Sequence, residues 1–241
     1  MSHPAAAPAK SPGIRGGVRR FLRHNALGLT FLIAFLLALA VQAIAGHAEF
    51  NNHLTADGLP TVGFADYLTS SDFAVDVSEN WQSEYLQFFL YIFATVWLVQ
   101  RGSPESKEPG KEGPESNHDQ LVGPHARADS PRWAAAEGWR QAVYARSLGL
   151  VMGALFLMSW FAQSVAGVAS YNEQQLRGFQ NPISWADYLG AAEFWGRTLQ
   201  NWQSELLAIA SMAVLSVYLR QRGSPESKPV GAPHTATGVE G

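Results

Sequence analysis

Four polar side chains, Gln42, Glu84, Gln163 and Glu205, lie inside or at the rim of strongly apolar stretches. A carboxyl and a carboxamide at the rim of a helix hairpin can hydrogen-bond across it, and ionisable groups in such settings are candidates for handling ions or polar solutes. For the two acids there is also a structural account. Asn80 and Asn201 would be helix N-caps, each followed by an acid in the first turn facing the positive end of the helix dipole. Thr61-Val62-Gly63-Phe64-Ala65-Asp66 resembles a potassium-selective filter. Carbonyl coordination needs glycines at strained positions, however, and the matching stretch Pro182–Asp187 has none. His47, Glu49 and His53 could approach a metal, but the matching positions hold Val168, Ser170 and Gln174, and zinc requires three or four converging ligands. The chain has no Cys, which excludes thiol catalysis and thiolate metal sites. No phosphate-binding loop, His-Glu-x-x-His or nucleophile elbow occurs. No catalytic residue, metal or cofactor is expected, and the chain does not read as an enzyme.

The elements that must position these groups are apolar. Leu27–Gly46 and Ser147–Ala169 carry no charge across 20 and 23 residues. At about 1.5 Å per residue each is long enough for the hydrocarbon core of a bilayer. Tyr85–Val99 and Leu206–Leu219 are shorter and reach membrane length when extended back to Trp81 and Trp202, which then act as aromatic interface anchors. Four transmembrane helices are therefore expected. A cleaved signal peptide ending at Ala43-Ile44-Ala45 is the rival for the first span. A matching segment recurs at Ser164-Val165-Ala166, mid-chain, where no signal peptide can lie.

That recurrence is general. Shifted by 121 residues, 25–107 falls on 146–228 without a gap, with 31 identities in 83 positions. Asn80-Trp81-Gln82-Ser83-Glu84 repeats as Asn201–Glu205, and Gln100–Lys107 repeats as Gln221–Lys228 in all eight positions. The expected architecture is all-α: an integral membrane protein of two parallel two-span repeats related by a pseudo-two-fold axis along the membrane normal. The segments are 1–24, a basic N-terminal segment; 25–107, the first repeat; 108–131, a disordered linker; 132–145, an amphipathic helix on the inner surface; 146–228, the second repeat; and 229–241, a disordered tail.

Of 17 Lys and Arg, 15 fall in the N-terminal segment, the linker and the tail, which places both termini in the cytoplasm and both loops outside. Arg101 and Arg222 are the inner anchors, with Gly102 and Gly223 expected at helix C′ positions. Glu105-Ser106-Lys107 and its copy have no capping role. In the outer loops, Phe64, Tyr67 and Leu68, and likewise Trp185, Tyr188 and Leu189, have i, i+3, i+4 spacing, which predicts short interfacial helices with Asp66 and Asp187 toward water.

With Asn80-Trp81-Gln82-Ser83-Glu84-Tyr85-Leu86-Gln87 and Gln100–Lys107, the chain resembles a family of uncharacterised bacterial membrane proteins that carries a domain-of-unknown-function label. The resemblance runs from about Phe21 to Lys228. It implies a bacterial plasma (inner) membrane location and assigns no activity or site. The expected function is a non-enzymatic membrane scaffold or stress-associated component. The alternative is a small pore or transport subunit with a path along the pseudo-two-fold lined by Gln42, Glu84, Gln163 and Glu205. The expected partners are the lipid bilayer and either further copies of the chain or another membrane protein, with no nucleic acid.

Overall fold

The computed structural model describes residues 14–241; Lys10 and the rest of 1–13 lie outside them. The described residues form eight α-helices and one 3-10 turn, with no strand. The helices are α1 (Ile14–His24), α2 (Ala26–Ala56), α3 (Phe64–Leu68), α4 (Ser71–Trp97), α5 (Trp139–Tyr144), α6 (Ser147–Arg177), α7 (Trp185–Leu189) and α8 (Ala192–Tyr218). The helices α2, α3 and α4 each have a counterpart of equal length 121 residues further on, in α6, α7 and α8.

The chain divides into two compact units, Met1–Thr69 and Ser70–Gly241. In the first, α1 runs into α2, whose first 20 residues are uncharged and, but for Thr30 and Gln42, apolar on all sides before its polar end, His47–Ala56. The chain then turns back through α3. Asn51 clamps the turn: its Oδ1 accepts from the Val62 amide at 2.8 Å, and its Nδ2 donates to the Val62 carbonyl at 3.1 Å. His47 Nε2 lies 2.9 Å from that carbonyl. Tyr67 is buried, with its hydroxyl over Gly46, where a Cβ would collide with it.

The second unit is built on α4, α6 and α8. α4 and α6 run antiparallel. Ser71 and Asp72 meet Glu173 and Ser170 at one end, while Phe89 and Ile92 face Gly153 and Gly149 further along. α8 runs parallel to α4, joined by side chains from Asp76–Arg197 to Gln82–Trp202. The turn leading to α8 uses the same devices as the first unit. Asn172 bonds the amide and carbonyl of Ile183 at 2.8 and 2.9 Å, and the Tyr188 ring lies over Gly167.

Several expectations require correction. Among the described residues two helices, α2 and α6, are long and apolar enough to cross a membrane, where four were expected. α4 and α8 begin at Ser71 and Ala192, not after Asn80 and Asn201. The Ser70 hydroxyl is the N-cap of α4, accepting from the Phe73 amide at 3.2 Å. Asn80 and Asn201 are interior, each donating its amide to a carbonyl one turn back, that of Asp76 or Arg197. The amphipathic helix placed at 132–145 shrinks to α5, because Gly138 adopts φ 67° just before it.

The polar stretches expected to lack structure carry hydrogen-bonded turns. The Gly113 amide bonds the Val96 carbonyl at 2.8 Å, returning the linker to the end of α4. Gly102 and Gly223 are not C′ residues, since extended backbone at Leu98 and Leu219 ends α4 and α8 first. Gly102, at φ 90°, lies so close to the His234 carbonyl that a side chain would not fit.

Candidate functional site

The second unit gathers its polar groups along the seam between α4 and α8. At one end Arg197 donates from Nε to Glu79 at 3.1 Å and from Nη2 to Asp76 at 3.3 Å, so one guanidinium ties α8 to two successive turns of α4. Burial pushes the Glu79 carboxyl up to about 7 even though the Arg197 charge opposes it, and Asp76 and Glu193 add to the rise. Burial also raises Glu193, again against Arg197. Next along the seam, the Trp202 indole N–H donates to Gln82 Oε1 at 2.7 Å, and Gln82 is fully buried. Gln163 of α6 reaches the same region and donates to Thr198 Oγ1 at 3.3 Å.

Aromatic rings fill the space beside these groups. Trp160 lies 5.8 Å from Trp202 and 6.1 Å from both Phe194 and Trp195. Phe156 stacks on Trp160 at 5.6 Å. Gln82 Nε2, Trp160 Nε1 and Gln163 Oε1 are buried without a protein partner, which leaves two donor groups and one acceptor beside these rings.

The far end of the seam is built by the two identical octapeptides. The Ser106 hydroxyl accepts from the Gln100 amide at 2.8 Å, and Ser227 does the same for Gln221 at 2.9 Å. Lys107 pairs with Glu115 at 2.7 Å and donates to the Gly113 carbonyl at 2.6 Å. Lys228 donates to the carbonyls of Pro233, His234 and Ala236 at 3.0 to 3.3 Å. Burial lowers the Lys228 ammonium, with Arg220 adding to the effect. Glu105 and Glu226 share a hydrogen bond, and this bond, followed by mutual repulsion, raises Glu226. The repeated Glu-Ser-Lys thus gains a structural account that capping could not supply. The serine closes a turn, the lysine gathers backbone carbonyls, and the two acids meet each other.

Of the four polar residues singled out in the sequence, Gln163, Glu84 and Glu205 lie in this unit. Gln42 belongs to the first unit and is exposed. Glu84 is exposed, Glu205 is half-buried, and the two interact electrostatically. The bond expected between Gln163 and Glu205 is not made, because Thr198, two turns earlier on α8, takes it. Of the anchors, Trp81, Arg101 and Arg222 are exposed, while Trp202 is committed to Gln82.

Sequence reasoning missed Asp76, Glu79, Gln82, Arg197 and Thr198. The available signal was register: Asp76 and Arg197 are matching positions of opposite charge, 121 apart. His47 is engaged with Val62 and Asn51, and among the described residues no group of three or more His, Cys, Asp or Glu could hold a metal.

Among the described residues, the fold and seam define an all-helical protein with two membrane-length apolar helices and a polar, side-chain-filled helix junction. Residues 18–239 match the family of a domain of unknown function (DUF6766), and the chain belongs to that family. No curated protein and no solved structure matches it.

Proposed function

We propose that the chain is a four-span bacterial inner-membrane protein made of two copies of one two-span unit inserted in the same direction. Both termini are cytoplasmic, and it serves as a non-enzymatic scaffold. The observation that carries the scaffold reading is the filled seam. Arg197 bridges Asp76 and Glu79, Trp202 is bonded to Gln82, and the Trp160 cluster occupies the space beside them. A solute path along that line would have to displace ion pairs and stacked rings.

The duplication is supported by positions 121 apart that meet themselves across the seam: Asp76 with Arg197, Glu84 with Glu205, and Glu105 with Glu226. In any two-fold arrangement, residues on the axis face their own counterparts. The apolar parts of α4 and α8 are shorter than those of α2 and α6 because polar residues precede them. On α4 two of these, Gln82 and Ser83, are buried, so they need not meet lipid.

Topology is the first test. The chain lacks Cys, so single substitutions Asp57→Cys, Asn117→Cys and Gln180→Cys, all at exposed positions, report cleanly. A membrane-impermeant thiol reagent on intact cells is expected to label 57 and 180 but not 117. Labelling at 117 refutes the orientation. Flux through proteoliposomes that Glu84→Gln with Glu205→Gln abolishes would replace the scaffold with the pore.

A further inference from the structure

Two carboxamides meet where α4, α6 and α8 come together. Gln82 of α4 accepts from the Trp202 indole at 2.7 Å, and Gln163 of α6 donates to Thr198 at 3.3 Å. Gln82, Gln163 and Thr198 are all buried to within 1%. Thr198 and Trp202 stand one turn apart on α8, about 6 Å along its axis, so α8 pins the two carboxamides as neighbours. The register of α4 and α6 brings in a third group. Gly153 faces Phe89, and Ser170 bonds Asp72. Two turns from Gly153 toward Ser170 lead to Trp160, and two turns from Phe89 toward Asp72 lead to Gln82, so Trp160 and Gln82 stand level. Gln163 follows Trp160 by one turn, on the same face of α6.

Each of these three residues keeps one buried polar atom with no partner in the protein: Gln82 Nε2, Trp160 Nε1 and Gln163 Oε1. We propose that the junction is a binding site for one water molecule, which accepts from Gln82 Nε2 and Trp160 Nε1 and donates to Gln163 Oε1. The donor and acceptor set selects this ligand. A buried water typically makes about three hydrogen bonds to groups that are otherwise unsatisfied. A metal cation would face two N–H groups. An anion would face the Gln163 oxygen, with Arg197 already committed to Asp76 and Glu79. A larger solute has no room among the rings of Phe156, Trp160 and Trp202, whose centroids are 5.6 to 6.3 Å apart. The water gives α4 and α6 a polar link of their own, beside the bond that each makes to α8. Every residue of the site lies within 70–241, and the site depends on neither the number of spans nor the scaffold reading.

The test is cross-relaxation between water and side-chain N–H groups, by nuclear magnetic resonance, on the full chain in detergent with isotopically labelled glutamine and tryptophan. Gln82→Leu and Trp160→Phe assign the peaks. The Gln82 amide and the Trp160 indole are both expected to show a long-lived water peak. Gln163→Leu removes the acceptor and is expected to abolish the peak at Gln82, while the Trp202 indole resonance stays in place because its bond to Gln82 is intact. Gln163→Glu keeps an oxygen that accepts and is expected to keep the peak.

If the parent chain shows no water peak at Gln82 while the Trp202 indole is protected from exchange, the site is refuted. If the peak survives Gln163→Leu with the Trp202 resonance unmoved, the bridge to α6 is refuted. Where Gln163→Leu loses the Trp202 resonance, the junction has not folded and the parent spectrum decides alone. None of these results touches the thiol-labelling test of orientation.

Discussion

The stretches 26–69 and 147–190 hold a long helix to its five-residue partner with the same two devices, yet they use them with different margins. In both, an Asn takes the amide and carbonyl of one loop residue, and a Tyr ring covers a Gly. In the first, His47 also bonds the clamped carbonyl and packs on Phe64 and Tyr67. In the second, Val168 stands at the matching position and offers no hydrogen bond. Tyr67 touches the Gly46 position mainly with its hydroxyl, while Tyr188 presses ring carbon as well as oxygen on Gly167. The first joint is the closer one at the hydroxyl and the better supported by hydrogen bonds, while the second also brings ring carbon onto its glycine.

The largest expected effects are at these two glycines. Gly167→Ala places Cβ 2.5 Å from the Tyr188 hydroxyl and 2.9 Å from a ring carbon. The ring is buried, so the change should cost about 3 kcal/mol in thermal melts in detergent. Gly46→Ala should also cost about 3 kcal/mol, since its Cβ would collide with the buried Tyr67 hydroxyl, and adding Tyr67→Phe should recover most of it because the hydroxyl is the main obstacle. Tyr188→Phe should rescue Gly167→Ala only in part. Equal rescue would erase the difference between the joints.

A second contrast is Glu79, whose counterpart is Gln200. The folded carboxyl titrates near 7 and the unfolded one at 4.5, so between these values the folded chain binds the extra proton. Its contribution to stability is fully present below 4.5 and is lost as pH rises through 7, by about 3 kcal/mol. Glu79→Gln makes the two positions alike and should remove that part of the pH dependence of the melting temperature. The next effect is Asn172→Ala, about 2 kcal/mol for two lost bonds to Ile183, against about 1 kcal/mol for Asn51→Ala, where His47 still holds the carbonyl. His47→Val should bring Asn51→Ala up to the cost of Asn172→Ala. Smallest is Ser227→Ala, about 1 kcal/mol, with Ser106→Ala equal to it because the turns are built alike.

The short helices were legible in sequence because Phe64, Tyr67 and Leu68, and Trp185, Tyr188 and Leu189, show their period within five residues. The repeated Ala-Gly and Ala-Asp-Tyr-Leu were visible, but not that one covers the other, since packing between distant segments leaves no periodic trace. The starts of α4 and α8 were missed for another reason. Asp72 to Glu79 is polar enough to read as loop, yet Val75 and Ser78 are buried on one face, a two-turn amphipathic pattern too short to stand out. The seam was legible only in part. Glu84, Gln163 and Glu205 stood out against apolar surroundings, while Asp76, Glu79 and Arg197 looked like ordinary charges of an outer loop. Their roles come from α8 lying alongside α4.

The rings of Trp195 and Trp202 each lie about 6 Å from that of Trp160 along the α6–α8 contact. Indoles this close couple their electronic transitions, so this cluster should dominate the near-ultraviolet circular dichroism of the chain. The molecule carries its own optical gauge of that junction. Slackening between α6 and α8 will show as fading aromatic ellipticity while the far-ultraviolet helix signal stays constant.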